Sequence, residues 1–123
     1  MTNKNRHVFV IDDDKSIRWV LEKTLTKNNF TVSCFIDAES MLHDLENITP
    51  NVIISDVRMP GINGTDMLEQ VKRKYPKIPI IIMTAFSDLE TTVMSLKKGA
   101  YEYVTKPFDI NEITALVEKA CKS

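Results

Sequence analysis

Three short apolar runs, Val8–Ile11, Val52–Ile54 and Ile80–Met83, are rich in β-branched side chains and bounded by polar or turn residues. Strands buried on both faces carry such runs, so these are predicted to be the central strands of a sheet. Thr31–Phe35 alternates more and Tyr101–Val104 is short, which places both nearer the sheet edges. Between them, apolar residues recur at helical spacing: Ile17, Val20, Leu21 and Leu25, then Met67, Leu68 and Val71, then Ile113, Leu116 and Val117. Ser87 with Glu90 and Asp109 with Glu112 have capping-box spacing, in which paired side chains satisfy amides of a helix's first turn. On a helix starting near Ser87, Leu89, Val93 and Leu96 form the stripe expected against the core. Met94 lies about 140° from Leu89 and is expected to flank or leave that core.

Alternating strands and helices joined by right-handed crossovers give a parallel sheet covered on both faces. For five strands the expected architecture is α/β and doubly wound, order 2-1-3-4-5, with five helices. Neither repeat nor linker interrupts the chain, so residues 1–123 are expected to form one domain. In such a sheet, ligands bind beyond the carboxyl ends of the strands where the order reverses, between the first and third.

The composition changes this picture little. With 43% hydrophobic and 27% charged residues in 123, the chain is in the ordinary globular range. A net charge of -1 from 16 basic and 17 acidic side chains provides no positive field for nucleic acid, so DNA binding by this chain alone is not expected. The first apolar run is short and closed by Asp12, Asp13 and Asp14, unlike a signal segment or membrane span, and the expected compartment is the cytoplasm. Cys34 and Cys121 have no metal-ligand spacing and are expected to be reduced and half-buried. His7 and His43 lack partner spacing, and structural or surface roles are expected for them.

The candidate chemistry lies at the strand ends. The first strand runs into Asp12-Asp13-Asp14 and the third ends at Ser55-Asp56, so two segments deliver carboxylates to one crevice. Clustered carboxylates repel one another, and a hard divalent cation such as Mg²⁺ relieves that repulsion through oxygen coordination. The triple aspartate also suits a solvated turn with helix N-capping, which is all that Asp14 need do. The fourth strand ends in Met83-Thr84-Ala85, offering a hydroxyl, and the fifth segment ends in Thr105-Lys106-Pro107-Phe108, offering an ammonium. Phosphoryl transfer needs an oxygen nucleophile, a metal to bridge charge and donors for the equatorial oxygens, and this set supplies all three.

The order Asp12-Asp13, Asp56-Val57-Arg58-Met59-Pro60-Gly61-Ile62-Asn63-Gly64, Thr84-Ala85 and Lys106-Pro107 resembles the response-regulator receiver family over essentially the whole chain. Ser16-Ile17-Arg18-Trp19-Val20-Leu21, Thr84-Ala85-Phe86-Ser87-Asp88-Leu89 and Lys106-Pro107-Phe108-Asp109-Ile110 are similar to its NtrC type. The resemblance implies a flavodoxin-like (CheY-like) fold in which Asp56 takes a phosphoryl group from a phosphohistidine of a sensor histidine kinase. Asp13 and Asp56 would hold Mg²⁺ directly, Asp12 through water, and the backbone carbonyl of Arg58 would add a ligand. Thr84 and Lys106 would each bond a phosphoryl oxygen, Tyr103 would be the switch aromatic, and Lys106-Pro107 would be cis. Arg58 and Phe86 would tune hydrolysis of the acyl phosphate. Because phenylalanine cannot orient water by hydrogen bonding, Phe86→His is expected to shorten the acyl-phosphate lifetime, measured by loss of bound phosphate.

The resemblance further implies self-phosphorylation and self-dephosphorylation rather than enzymatic turnover. In NtrC-type regulators a receiver precedes an ATPase and a helix-turn-helix domain and controls sigma-54-dependent transcription. This chain has no Walker-type glycine loop, so it is expected to be a receiver excised from such a regulator, with a natural stand-alone receiver as the alternative. Output would leave through the fourth helix, fifth strand and fifth helix, with Met94 either a contact in a phosphorylation-dependent homodimer or docked state or a partly buried filler against the neighbouring loop. Two rivals remain. Asp12-Asp13-Asp14-Lys15-Ser16 also fits the D-x-D-x-[ST] start of haloacid-dehalogenase-like phosphatases, with Asp12 as nucleophile, although no acidic pair follows Lys106. The other is a degenerate receiver used only for docking, against which the full acceptor set stands.

Overall fold

The computed structural model describes residues 6–59, 61–85 and 89–122, without the side chain of Leu89. Its elements alternate: β1 (His7–Ile11), α1 (Lys15–Lys27), β2 (Thr31–Phe35), α2 (Ala38–Leu45), β3 (Val52–Asp56), α3 (Gly64–Lys74), β4 (Ile80–Ala85), α4 (Leu89–Lys97), β5 (Glu102–Lys106) and α5 (Ile110–Cys121). The strands pair in parallel in the order β2-β1-β3-β4-β5, as the alternation predicts. The two segments assigned to the edges are the edges. The strand expected over 101–104 instead begins at Glu102 and continues to Lys106, which brings the lysine to the strand end.

Side chains of a strand alternate between its faces, and the core divides accordingly. Phe9, Ile11, Ile53, Ile80 and Ile82 pack with Met41, Leu45, Met67 and Leu68 of α2 and α3. Val8, Val10, Ile54, Ile81, Met83 and Val104 pack with Leu21, Leu25, Ile113 and Val117 of α1 and α5. Burying each large aliphatic side chain contributes about 1.5–3 kcal/mol, so this two-sided sheet is the main stabilising feature.

Helix starts follow short polar side chains. Asp14 caps α1 by accepting from the Ser16 and Ile17 amides, Asp37 caps α2 through Ser40, and Asn63 caps α3 through Asp66. Asp109 caps α5 by accepting from the Asn111 amide at 2.7 Å. Ser87 lies outside the described residues. The helical stripes read from the sequence do not include α2, although its buried Ala38, Met41 and Leu45 recur at helical spacing.

α4 corrects the sequence expectation. Val93 is 45% exposed and Leu96 39%, whereas Thr92 and Ser95 are buried. Among its described side chains, the helix packs Thr92 and Ser95 inward and turns Val93, Met94 and Leu96 outward. Met94 is exposed, as expected. Buried Ser95 Oγ has no hydrogen-bond partner among the described residues, and Lys98 fastens the helix end to α3 through Glu69 at 3.4 Å.

Both cysteines are free and half-buried. Burial pushes the Cys34 thiol up to about 11, with the Glu22 charge adding to it. His7 places Nε2 2.8 Å from Ser33 Oγ and stacks edge-on against Phe9, a structural role, and no described helix is long and apolar enough to cross a membrane.

Candidate functional site

Strand register and the two-residue side-chain period build the site. Ile11 lies beside Ser55, so Asp12 follows β1 next to Asp56 at the end of β3. Asp12 continues the face of Val8 and Val10, Asp56 that of Val52 and Ile54, and Lys106 that of Val104, all toward α1 and α5. The three polar groups thus share one side of the sheet at its carboxyl edge, across the β1–β3 order reversal.

Lys106 Nζ bridges the two carboxylates, 2.9 Å from Asp12 Oδ2 and 3.0 Å from Asp56 Oδ2. Asp12 is fully buried, its amide donates to the Phe35 carbonyl, and its Oδ1 accepts from the Asp14 amide at 2.9 Å. The Arg18 guanidinium donates to the Asp12 carbonyl at 2.8 Å, which anchors the turn. Asp13 is exposed, and its carboxylate comes within 4.8 Å of those of Asp12 and Asp56. Asp14 is spent on capping α1.

Burial pushes the Asp12 carboxyl above its ordinary range, opposed mainly by the Lys106 hydrogen bond. Burial pulls the Lys106 ammonium down, but the hydrogen bonds and charges of Asp12 and Asp56 outweigh it and leave the group above its usual value. Two carboxylates about 4 Å apart repel by roughly 4 kcal/mol at an effective dielectric near 20, so one ammonium cannot neutralise three of them. The remaining negative charge and the all-oxygen donor set fit a hard divalent cation.

Thr84 takes the other face, continuing Ile80 and Ile82 toward α3 and α4. It is fully buried, donates to the Ala85 carbonyl at 3.1 Å, and accepts from the Thr92 hydroxyl of α4 at 3.3 Å. The structure therefore groups Asp12, Asp13, Asp56 and Lys106 and turns the Thr84 hydroxyl toward α4. Tyr103 is 37% exposed on β5. Arg58 is exposed, and its amide approaches Asp56 Oδ1 at 3.4 Å. Lys106-Pro107 is cis. Phe86 lies outside the described residues.

Gly64 packs directly against the backbone that carries Asp56. Its amide donates to the Val57 carbonyl at 2.8 Å, and a Cβ there would stand 2.7 Å from the Asp56 carbonyl oxygen and from Val57 Cα. In the sequence Gly64 stands out only as the end of the Asp56–Gly64 motif, and Thr92 does not stand out at all. No local signal points to Thr92, since its partner is eight residues away on another element.

Both carboxylates are engaged at both oxygens, but the Asp12 side chain is fully enclosed whereas that of Asp56 keeps 14% exposure. Of these two carboxylates, Asp56 is the one that solvent reaches.

Residues 8–118 match the model of the response regulator receiver domain. The DNA-binding transcriptional regulator NtrC of Escherichia coli (strain K12) is 49% identical over 113 residues, covering 92% of this chain and 24% of the relative. The transcriptional regulatory protein FixJ of Bradyrhizobium diazoefficiens is 38% identical over 122 residues, 99% of this chain and 59% of FixJ. Among solved structures, the apo receiver domain of nitrogen regulatory protein C superposes with a TM-score of 0.89 at 46% identity, covering 98% of this chain and 97% of that one. The chain spans about a quarter of the length of the NtrC relatives it matches. With its sheet order, its carboxylate cluster and these matches in agreement, the chain belongs to the response regulator receiver domain family.

Proposed function

We propose that Asp56 is the phosphoacceptor of this receiver and that the phosphoryl group comes from a phosphohistidine of a sensor histidine kinase. The observation that carries this is the Lys106 ammonium held against Asp56 beside the carboxylates of Asp12 and Asp13. An Asp56 oxygen forms the new bond to phosphorus as the bond from phosphorus to the donor nitrogen breaks. Lys106 already lies against the acceptor, so it can pair with a phosphoryl oxygen without a large rearrangement. Thr84 supplies a second donor once its hydroxyl turns from Ala85.

Asp13 and Asp56, with Asp12 through water and the Arg58 backbone carbonyl, would hold Mg²⁺, which when bound neutralises charge on the transferring group. The chain modifies its own aspartate and later loses the phosphate, with Arg58 and Phe86 setting that loss, and Tyr103 moves inward as Thr84 is drawn to the phosphate. In full length the receiver would control an attached ATPase and DNA-binding domain in sigma-54-dependent transcription, in the cytoplasm, without itself touching nucleic acid.

The test is intact-mass measurement after incubation with Mg²⁺ and acetyl phosphate, a donor that needs no protein partner. One phosphoryl group is expected on the wild type and none after chelation. Asp12→Asn is expected to slow the labelling but retain the acceptor, whereas abolition by Asp12→Asn alone would support the phosphatase alternative.

The exposed α4 residues Val93 and Met94 supply an apolar surface for output. A charge there is costly in an apolar contact, so Met94→Lys is expected to leave the labelling rate intact and weaken phosphorylation-dependent self-association or docking. Unchanged sedimentation of the phosphorylated variant would remove Met94 from that contact.

A further inference from the structure

The geometry points to Thr92 as a positioning residue that holds Thr84 in its unphosphorylated rotamer and so ties α4 directly to the acceptor site. This rests on the assignment of Asp56 and Thr84 above. Thr84 has one hydroxyl proton, and in the structure that proton goes to the Ala85 carbonyl at 3.1 Å. The same oxygen accepts the Thr92 hydroxyl at 3.3 Å, and both side chains are buried. To donate to a phosphoryl oxygen at Asp56, Thr84 must turn its proton away from Ala85, and the bond from Thr92 opposes that turn. Because Thr92 belongs to α4, whatever draws Thr84 toward Asp56 also removes a contact between β4 and that helix. Elsewhere on this helix, Ser95 Oγ makes no hydrogen bond among the described residues, and Lys98 just beyond its end pairs with Glu69 at 3.4 Å.

The contact is long for a hydroxyl pair, whose usual separation is about 2.7–2.8 Å, so its effect belongs at the weak end of the hydrogen-bond range. That corresponds to a change of about two- to fivefold in the balance between the two Thr84 positions, rather than tenfold or more.

The experiment follows the Thr84 methyl resonance in the unphosphorylated chain, with the rate of labelling by acetyl phosphate and Mg²⁺ measured in parallel. Thr92→Val keeps the branched shape and deletes the hydroxyl. It is expected to move the Thr84 methyl toward its position in the phosphorylated wild type and to raise the labelling rate about two- to fivefold. Thr92→Ser, which keeps the hydroxyl, is expected to restore both values. A merely structural role would change stability without moving that resonance in a hydroxyl-dependent way. Identical Thr84 shifts and rates in Thr92→Val and wild type would overturn the proposal, as would a serine variant that behaves like valine. Should the valine variant fail to fold, Thr92→Ala carries the same expectations. Labelling that persists in Asp56→Asn would instead remove the acceptor assignment, and the Thr84 resonance would still report on the Thr92 contact.

Discussion

Asp56→Asn is expected to abolish phosphoryl uptake from acetyl phosphate, the largest single effect on function predicted for this chain. The amide keeps the size of the carboxylate and can still accept from Lys106, so folding is expected to survive. What disappears is the anionic oxygen that attacks phosphorus. Neither Ser55 nor Asp12 can take over easily. Ser55 is fully buried with its hydroxyl donated to the Asp56 carbonyl at 2.9 Å, and Asp12 is enclosed with both oxygens engaged. Lys106 also keeps its 2.9 Å partner in Asp12, so the variant does not leave an unpaired buried ammonium. Intact-mass measurement decides the matter: background labelling with a wild-type melting temperature is expected, and wild-type labelling would remove Asp56 as acceptor.

Gly64→Ala is expected to have the largest effect on stability. Helix propensity alone predicts a gain of about 1 kcal/mol, since alanine is favoured over glycine within helices. The structure reverses that sign. The added Cβ would lie 2.7 Å from the Asp56 carbonyl oxygen and 2.7 Å from Val57 Cα, and both are backbone atoms that cannot swing aside as a side chain would. Relief requires the α3 start to move from the end of β3, which also breaks the 2.8 Å bond from the Gly64 amide to Val57. Overpacking of this kind costs about 3 kcal/mol, at the upper end of the usual range. For a domain of this size the melting temperature should fall by about 10 °C. The backbone that must shift carries Asp56, so slower labelling is expected even at temperatures where the variant remains folded. A melting temperature equal to or above that of the wild type would show that the loop relaxes without cost.

Much of the site was legible in the sequence because it depends on period and order. Short β-branched runs determine buried strands, alternation with helical stripes determines a parallel sheet, and the sheet's order reversal puts Asp12 beside Asp56. The two-residue period then places Lys106 on their side. None of this depends on the fine packing of any side chain. α4 behaved differently. Its apolar residues suggested a core stripe through Val93 and Leu96, yet these are exposed and Thr92 and Ser95 are buried. Hydrophobic periodicity predicts orientation only when burying the apolar face is the dominant contribution. Here the helix sits over a strand end whose inward group is the Thr84 hydroxyl, and it is fastened by polar contacts to Thr84 and Glu69. The sequence by itself therefore determined the sheet, the carboxylate cluster and the lysine that joins it. Only the tertiary structure decided which way α4 faces, where Thr84 points and why Gly64 must lack a side chain, because each depends on atoms brought together from separate segments at distances that no local pattern encodes.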